Sequence, residues 1–182
     1  FSADNPWLRD VLRRGSNSRY SGHFDLDPRA GRIRLPWLSA PFEDVLKTDG
    51  FTIDDDPDGP VLAIGGLRVP LATSASLDAA RGGDAAAIRT LHSEQPWRLV
   101  HWRTESDVLS HRRFFNITGL IGVRLEDPAV FEDTHRLLFD LVEEGIVNGI
   151  RIDHIDGLAD PGGYLDALRK RVCTTPIWVE KI

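Results

Sequence analysis

The sequence predicts an α/β fold, with a parallel sheet in its second half and an irregular α+β region in its first. Three observations carry this. Two Asp-Pro helix starts, Asp127-Pro128 and Asp160-Pro161, each open a stripe of apolar residues at spacings of three and four. Each helical segment is followed within a few residues by a short apolar run, IVNGIRID and then PIWVE. Helix, strand, helix, strand with short connections is the repeating unit of a parallel sheet. Up to Trp97, by contrast, Gly, Pro, Asp and Ser are frequent and periodicity is scarce, so a boundary is read between residues 97 and 98.

In chain order, NPWLRDVLRRG offers Asn5 as N-cap, Pro6 at the first helical position and Gly15 as a stop. A second short helix reads from Ser39 to about Lys47. DGPVLAIGGLRVPL alternates around Gly65-Gly66, a hairpin signal. Asp84 opens a helix in GDAAAIRTLHSEQ, RLVHW is a strand, and RRFFNITGLIGVR reads as loop. The clearest helix follows Asp127 and Pro128. Its apolar stripe is Val130, Phe131, Thr134, Leu137, Leu138, Leu141 and Val142, with Gly145 as a left-handed stop. IVNGIRID is a strand of six to eight residues, the next helix buries Tyr164, Leu165, Leu168 and Val172, and PIWVE is the last strand.

Composition narrows the function. Charged residues make up 27% and hydrophobic residues 41% of 182, which are globular values. A net charge of −6 speaks against nucleic acid or an anionic membrane as partner. No window approaches the roughly 20 apolar residues that span a bilayer. The single Cys173 fits a reducing, cytoplasmic setting and reads as a small buried residue at a helix end. The absence of Met and the abrupt ends suggest a fragment of a longer enzyme.

GIRIDHIDGLADP concentrates charge at the carboxyl end of a predicted buried strand. In parallel α/β sheets, ligand chemistry sits at those ends. Asp153 ends one strand and Glu180 the next, separated by one loop, helix and strand, so a right-handed crossover sets the two strands side by side. Neighbouring strands lie about 4.8 Å apart. Two carboxylates there fit the ~5–5.5 Å of a retaining glycosidase, in which one attacks the sugar carbon and the other protonates the departing oxygen. Arg151, two residues before Asp153, shares its face and favours the ionised carboxylate. An apolar surround of Ile177, Trp178 and Val179 would favour the protonated form of Glu180.

These residues also carry a resemblance. GIRIDHIDGLADP with VEKI resembles the nucleophile and general-acid segments of the α-amylase superfamily. QPWRLVHWRTESDVLSHRRFFNITGLIGVRLEDPAVFEDTH, more narrowly, is similar to the maltooligosyltrehalose synthase family, as is NPWLRDVLRRGSNSRYSGHFDLD. The resemblance spans nearly the whole chain and is specific from about Gln95 onward. It implies part of a (β/α)8 TIM barrel over residues 98–182 and an inserted irregular α+β subdomain over residues 1–97. It also implies intramolecular transglucosylation, in which the reducing-end α-1,4 link of a malto-oligosaccharide becomes α,α-1,1. Asp153 would be the nucleophile and Glu180 the acid/base. Arg151, His154 and Lys181 would bind substrate, with Trp102, Arg103, Arg112, Arg113 and Phe115 beside them. The family's Asp after RRFF is Asn116 here. No cofactor and no metal are implied, and the fragment by itself is expected to be inactive.

Blander readings stand alongside. Asp160, and by the same token Asp156, fit helix capping or turns. The Arg112–Phe115 run fits an ordinary packed loop as well as a sugar-stacking one. Trp7, Trp37 and Trp97 read as core or anchors, and His135 as structural. Another α-amylase-superfamily hydrolase or transglucosylase, or a non-catalytic carbohydrate-binding or assembly module, are the alternative functions.

Overall fold

The computed structural model describes residues 4–48, 50–104, 109–113, 115 and 117–180. They form a mixed α/β structure that divides into two compact units, Phe1–Gly122 and Val123–Ile182. No closed barrel is present among the described residues.

The first unit contains helix α1 (Pro6–Arg14), strand β1 (Ile33–Leu38), helix α2 (Phe42–Thr48), strands β2 (Thr52–Asp56), β3 (Gly59–Ile64) and β4 (Leu67–Pro70), helices α3 (Leu77–Ala80) and α4 (Ala85–Glu94), and strand β5 (Trp97–His101). Strands β2, β3 and β4 form an antiparallel sheet in that order, while β1 and β5 pair in parallel. Its start signals are those of the sequence. The Asn5 side chain accepts from the Trp7 and Leu8 amides, Asp84 from the Ala87 amide, and Gly15 leaves α1 at φ 58°. The core gathers Leu8, Leu12, Leu35, Val61, Val69, Leu91, Trp97 and Leu99. Trp97 has no solvent exposure, and its indole N–H donates to the Pro70 carbonyl at 2.9 Å. β5 begins at Trp97 and pairs in parallel with β1.

The second unit is helix α5 (Pro128–Glu143), strand β6 (Ile150–Ile152), helix α6 (Pro161–Val172) and strand β7 (Ile177–Val179). Asp127 and Asp160 cap the two helices, each with proline at the first position. β6 and β7 are parallel neighbours, in register Ile150 to Ile177, Arg151 to Trp178 and Ile152 to Val179. The core is Phe131, Phe139, Ile150, Ile155, Tyr164, Leu168 and Val172.

Three expectations are corrected here. β6 has three residues, not six to eight, because the Ile146 and Val147 amides both donate to the Leu141 carbonyl and belong to the end of α5. Val130 and Phe131 of the stripe read in the sequence are buried and Leu138 and Val142 pack against the core, but Leu137 is 70% exposed and Phe139, outside that stripe, is buried. Cys173 is exposed: it terminates α6 at φ 48°, where the chain has left the helix.

Candidate active site

The site candidates of the second unit sit on one face of a two-stranded sheet. Side chains alternate along a strand, so Ile150 and Ile152 turn to the core and Gly149, Arg151 and Asp153 turn the other way. Trp178 and Glu180 share that second face on β7. A Cβ on Gly149 would lie 2.6 Å from the Trp178 ring, so glycine is what lets the indole lie across the start of β6. Trp178 is 59% exposed.

At the carboxyl ends, one guanidinium joins the two carboxylates. Arg151 Nε lies 2.9 Å from Asp153 Oδ1, and Arg151 Nη2 lies 2.8 Å from Glu180 Oε2. The two contacts, with the hydrogen bond to Glu180 the stronger cause, hold the Arg151 guanidinium above its ordinary value. The backbone fixes the same geometry. The Glu180 amide donates to the Ile152 carbonyl at 2.8 Å, and the Ile155 amide donates back to the Glu180 carbonyl at 3.4 Å. Between these strand ends, His154 takes a left-handed conformation at φ 56° and leads into a single 3₁₀ turn, Ile155–Gly157. A non-glycine residue takes that conformation when its surroundings determine it. Ile155, next in the chain, supplies the determination by packing into the core.

The apolar surround expected for Glu180 is absent. Trp178 and Val179 are exposed, and the Glu180 carboxylate faces a cation. The sequence pattern paired Arg151 with Asp153 alone. Its reach to Glu180 follows from the strand register, since Arg151 lies opposite Trp178 and diagonal to Glu180. Lys181 lies outside the described residues. A cleft of about 400 Å³ in the same unit runs between α5 and α6, lined among others by Phe131, Tyr164 and Lys170, and includes neither carboxylate.

The remaining candidates belong to the first unit. Trp102 is 45% exposed at the end of β5, with the Arg103 guanidinium 5.2 Å from its ring centroid. Such a cation over an indole is an ordinary surface pairing, and the His101 ring meets the same indole edge-on at 6.0 Å. Arg112 pairs with Asp25 at 3.0 Å, Arg113 is half-buried, and Phe115 is exposed at φ 49°. Their loop is tied to Asp25–Asp27 by a His111–Leu26 bridge, and to Gly122, whose amide donates to the Arg112 carbonyl at 2.7 Å. Phe114 and Asn116 lie outside the described residues. Among the described residues no cluster of three or more His, Cys, Asp or Glu is arranged to hold a metal, and no helix is long and apolar enough to cross a membrane.

No protein-family model matches the chain. A Mycobacterium tuberculosis protein named as a maltooligosyl trehalose synthase is 39% identical over 181 residues, which is 98% of this chain and 21% of that protein. The structure of maltooligosyltrehalose synthase from Arthrobacter ramosus superposes with a TM-score of 0.81 at 38% identity, covering 100% of this chain and 23% of that one. A Sulfolobus tokodaii structure described as a hypothetical maltooligosyl trehalose synthase gives a TM-score of 0.77 at 37% identity, over 96% and 22%. Nearly the whole chain is similar to part of the maltooligosyltrehalose synthases. It spans about a fifth of the length of the relatives it matches.

Proposed function

We propose that this chain is the segment of a maltooligosyltrehalose synthase that carries the nucleophile, Asp153, and the acid/base, Glu180, of a retaining glucosyl transfer. The observation that carries the reading is the Arg151 guanidinium held between the two carboxylates at the carboxyl ends of adjacent parallel strands. In this reading residues 98–182 contribute helices and strands to a (β/α)8 barrel, and residues 1–97 an inserted subdomain. The Gly149–Trp178 face looks into the barrel, which accounts for an exposed tryptophan on a strand.

Asp153 attacks the anomeric carbon of the penultimate glucose while Glu180 gives a proton to the departing O4 of the terminal glucose. The C1–O4 bond breaks and a C1–carboxylate bond forms. Glu180, now a base, takes the proton from the anomeric hydroxyl of the retained glucose as its oxygen attacks C1. Asp153 leaves as carboxylate and an α,α-1,1 link results. Arg151 pairs with both carboxylates, at 2.9 Å from Asp153 and 2.8 Å from Glu180. His154, Lys181, Trp102, Arg103, Arg112, Arg113 and Phe115 are proposed substrate contacts, through hydrogen bonds and ring stacking. The substrate is a malto-oligosaccharide, and the composition fits neither nucleic acid nor membrane as partner.

Covalent trapping tests the assignment. A fluorinated glucosyl donor incubated with the full-length synthase should leave its adduct on Asp153, read by peptide mass spectrometry. An adduct elsewhere overturns the reading. Product analysis on maltopentaose separates the synthase from a hydrolase: the synthase gives a non-reducing product of unchanged length.

A further inference from the structure

The second unit holds a histidine–tyrosine pair, half-buried His135 against buried Tyr164, that the proposed chemistry does not use. His135 on α5 and Tyr164 on α6 meet with His135 Nε2 2.8 Å from the Tyr164 hydroxyl. His135 Nδ1 lies 2.9 Å from the Phe131 carbonyl, one helical turn back. Thr134 Oγ1 lies 3.0 Å from the same nitrogen, but its hydroxyl donates to the Val130 carbonyl at 2.8 Å and so offers Nδ1 only an acceptor. A carbonyl also only accepts, so Nδ1 carries the proton. In the neutral ring Nε2 is then the acceptor, and Tyr164 donates. The tautomer and the direction of the inter-helix bond are therefore both set by the two acceptors around Nδ1. The imidazole packs against Phe131 at 4.5 Å and Phe139 at 5.6 Å, and burial disfavours its charged form.

Position gives the pair its consequence. α6 is the crossover joining β6 to β7, so its seat on α5 sets how the two carboxylate-bearing strand ends lie. Tyr164 stands in the first turn of α6 and belongs with Ile155 to the same buried core. The Ile155 amide holds the Glu180 carbonyl, and Ile155 follows the left-handed His154 that follows Asp153. We infer that His135 and Tyr164 are positioning residues, whose hydrogen bond locks the first turn of α6 and so fixes the Ile155–Glu180 link between the two strand ends. This rests on the reading of Asp153 and Glu180 as the reacting pair for its catalytic meaning, but its test does not.

The test uses Tyr164→Phe in the full-length synthase, which removes one hydroxyl and keeps the ring. Amide hydrogen exchange at Ile155 and Glu180 should accelerate about three- to tenfold, the size of one intramolecular hydrogen bond, with Leu168 to Val172 unchanged. The imidazole nitrogen shifts of the unsubstituted protein should show the Nδ1–H tautomer, and Tyr164→Phe should move the Nε2 signal. Unchanged exchange at Ile155 and Glu180 overturns the inference. So does an equal acceleration across all amides of the unit, which marks a general loss of stability. A wild-type Nε2–H tautomer overturns it without any variant. Failure of the Asp153 adduct, by contrast, overturns the reaction assignment and leaves these rates untouched.

Discussion

At the residue scale, the contact between Gly149 and Trp178 and the three-way contact at Arg151 do different jobs. The glycine is a packing requirement. Alanine there would press its Cβ into the indole at 2.6 Å, but the ring is 59% exposed and can swing away. Gly149→Ala should therefore cost about 1 kcal/mol of the unit's stability, at the low end for overpacking. In a Trp178→Ala background it should cost less, and the non-additivity in chemical denaturation measures the contact. Additive costs would mean that the ring does not lie on β6. In the proposed reading, Arg151 and its partners are a chemical requirement. Asp153→Asn in the full-length synthase should lose on the order of 10⁴ in kcat with substrate binding largely kept, because no other group can take the nucleophile's role. Glu180→Gln should slow natural linkages far more than glucosyl fluoride, which needs no proton to depart. Equal losses on both substrates would remove Glu180 from the acid's role.

At the element scale, the caps explain why the helices were legible. Asn5, Asp84, Asp127 and Asp160 each accept a backbone amide in the first turn, the chemistry that N-cap residue types advertise. Asp127→Ala and Asp160→Ala should each cost about 1 kcal/mol in thermal unfolding, and neither should alter covalent trapping at Asp153. Strands whose pairing depends on distant chain were less legible. β1 carries Pro36, which argues against a strand, and it is accommodated where the register with β5 shifts between Leu35 and Leu38. β2 carries Asp54, Asp55 and Asp56, whose charges are paired by Arg68 on β4, Arg9 on α1 and Arg81 just after α3. The parallel pairing of β6 and β7 was legible because crossover handedness leaves few alternatives. The stripe of α5 was legible except that Leu137 is exposed and Phe139 is buried, because only packing chooses among apolar residues this close around the helix. The carboxylate pair was legible from strand ends. The shared guanidinium required the register.

At the scale of the whole molecule, buried histidines set how the first unit responds to acid. His92 is 5% exposed, stacks on Phe42 at 3.9 Å and accepts the Leu99 amide at Nε2 over 3.0 Å, so it is held neutral. Burial first, and the nearby Arg98 and Arg32 next, push its pKa from 6.5 down to about 4. His111 is 7% exposed, and burial followed by Arg113 pushes it from 6.5 to about 4 as well. The sign follows from which state binds the proton. Above pH 6.5 both histidines are neutral, folded or unfolded, and contribute no pH dependence. As pH falls through 6.5 the unfolded chain takes up two protons that the folded unit refuses, so stability drops, and the loss levels off near pH 4 where the folded rings protonate. Each histidine accounts for up to about 3 kcal/mol of that loss. The arginine-paired carboxylates act in a lower window: Asp56 and Asp58 are held below 3.8 chiefly by hydrogen bonds from Arg68 and Arg9 respectively, so their contribution persists above that value and disappears only in stronger acid. Urea denaturation of the first unit, followed by Trp97 fluorescence at intervals from pH 7.5 to pH 4, should show a midpoint falling mainly between pH 6.5 and pH 4. His92→Gln and His111→Gln should each flatten that slope even where they lower the midpoint at neutral pH. A slope unchanged in both variants, or one confined below pH 4, would assign acid sensitivity to the carboxylate network and not to the buried rings.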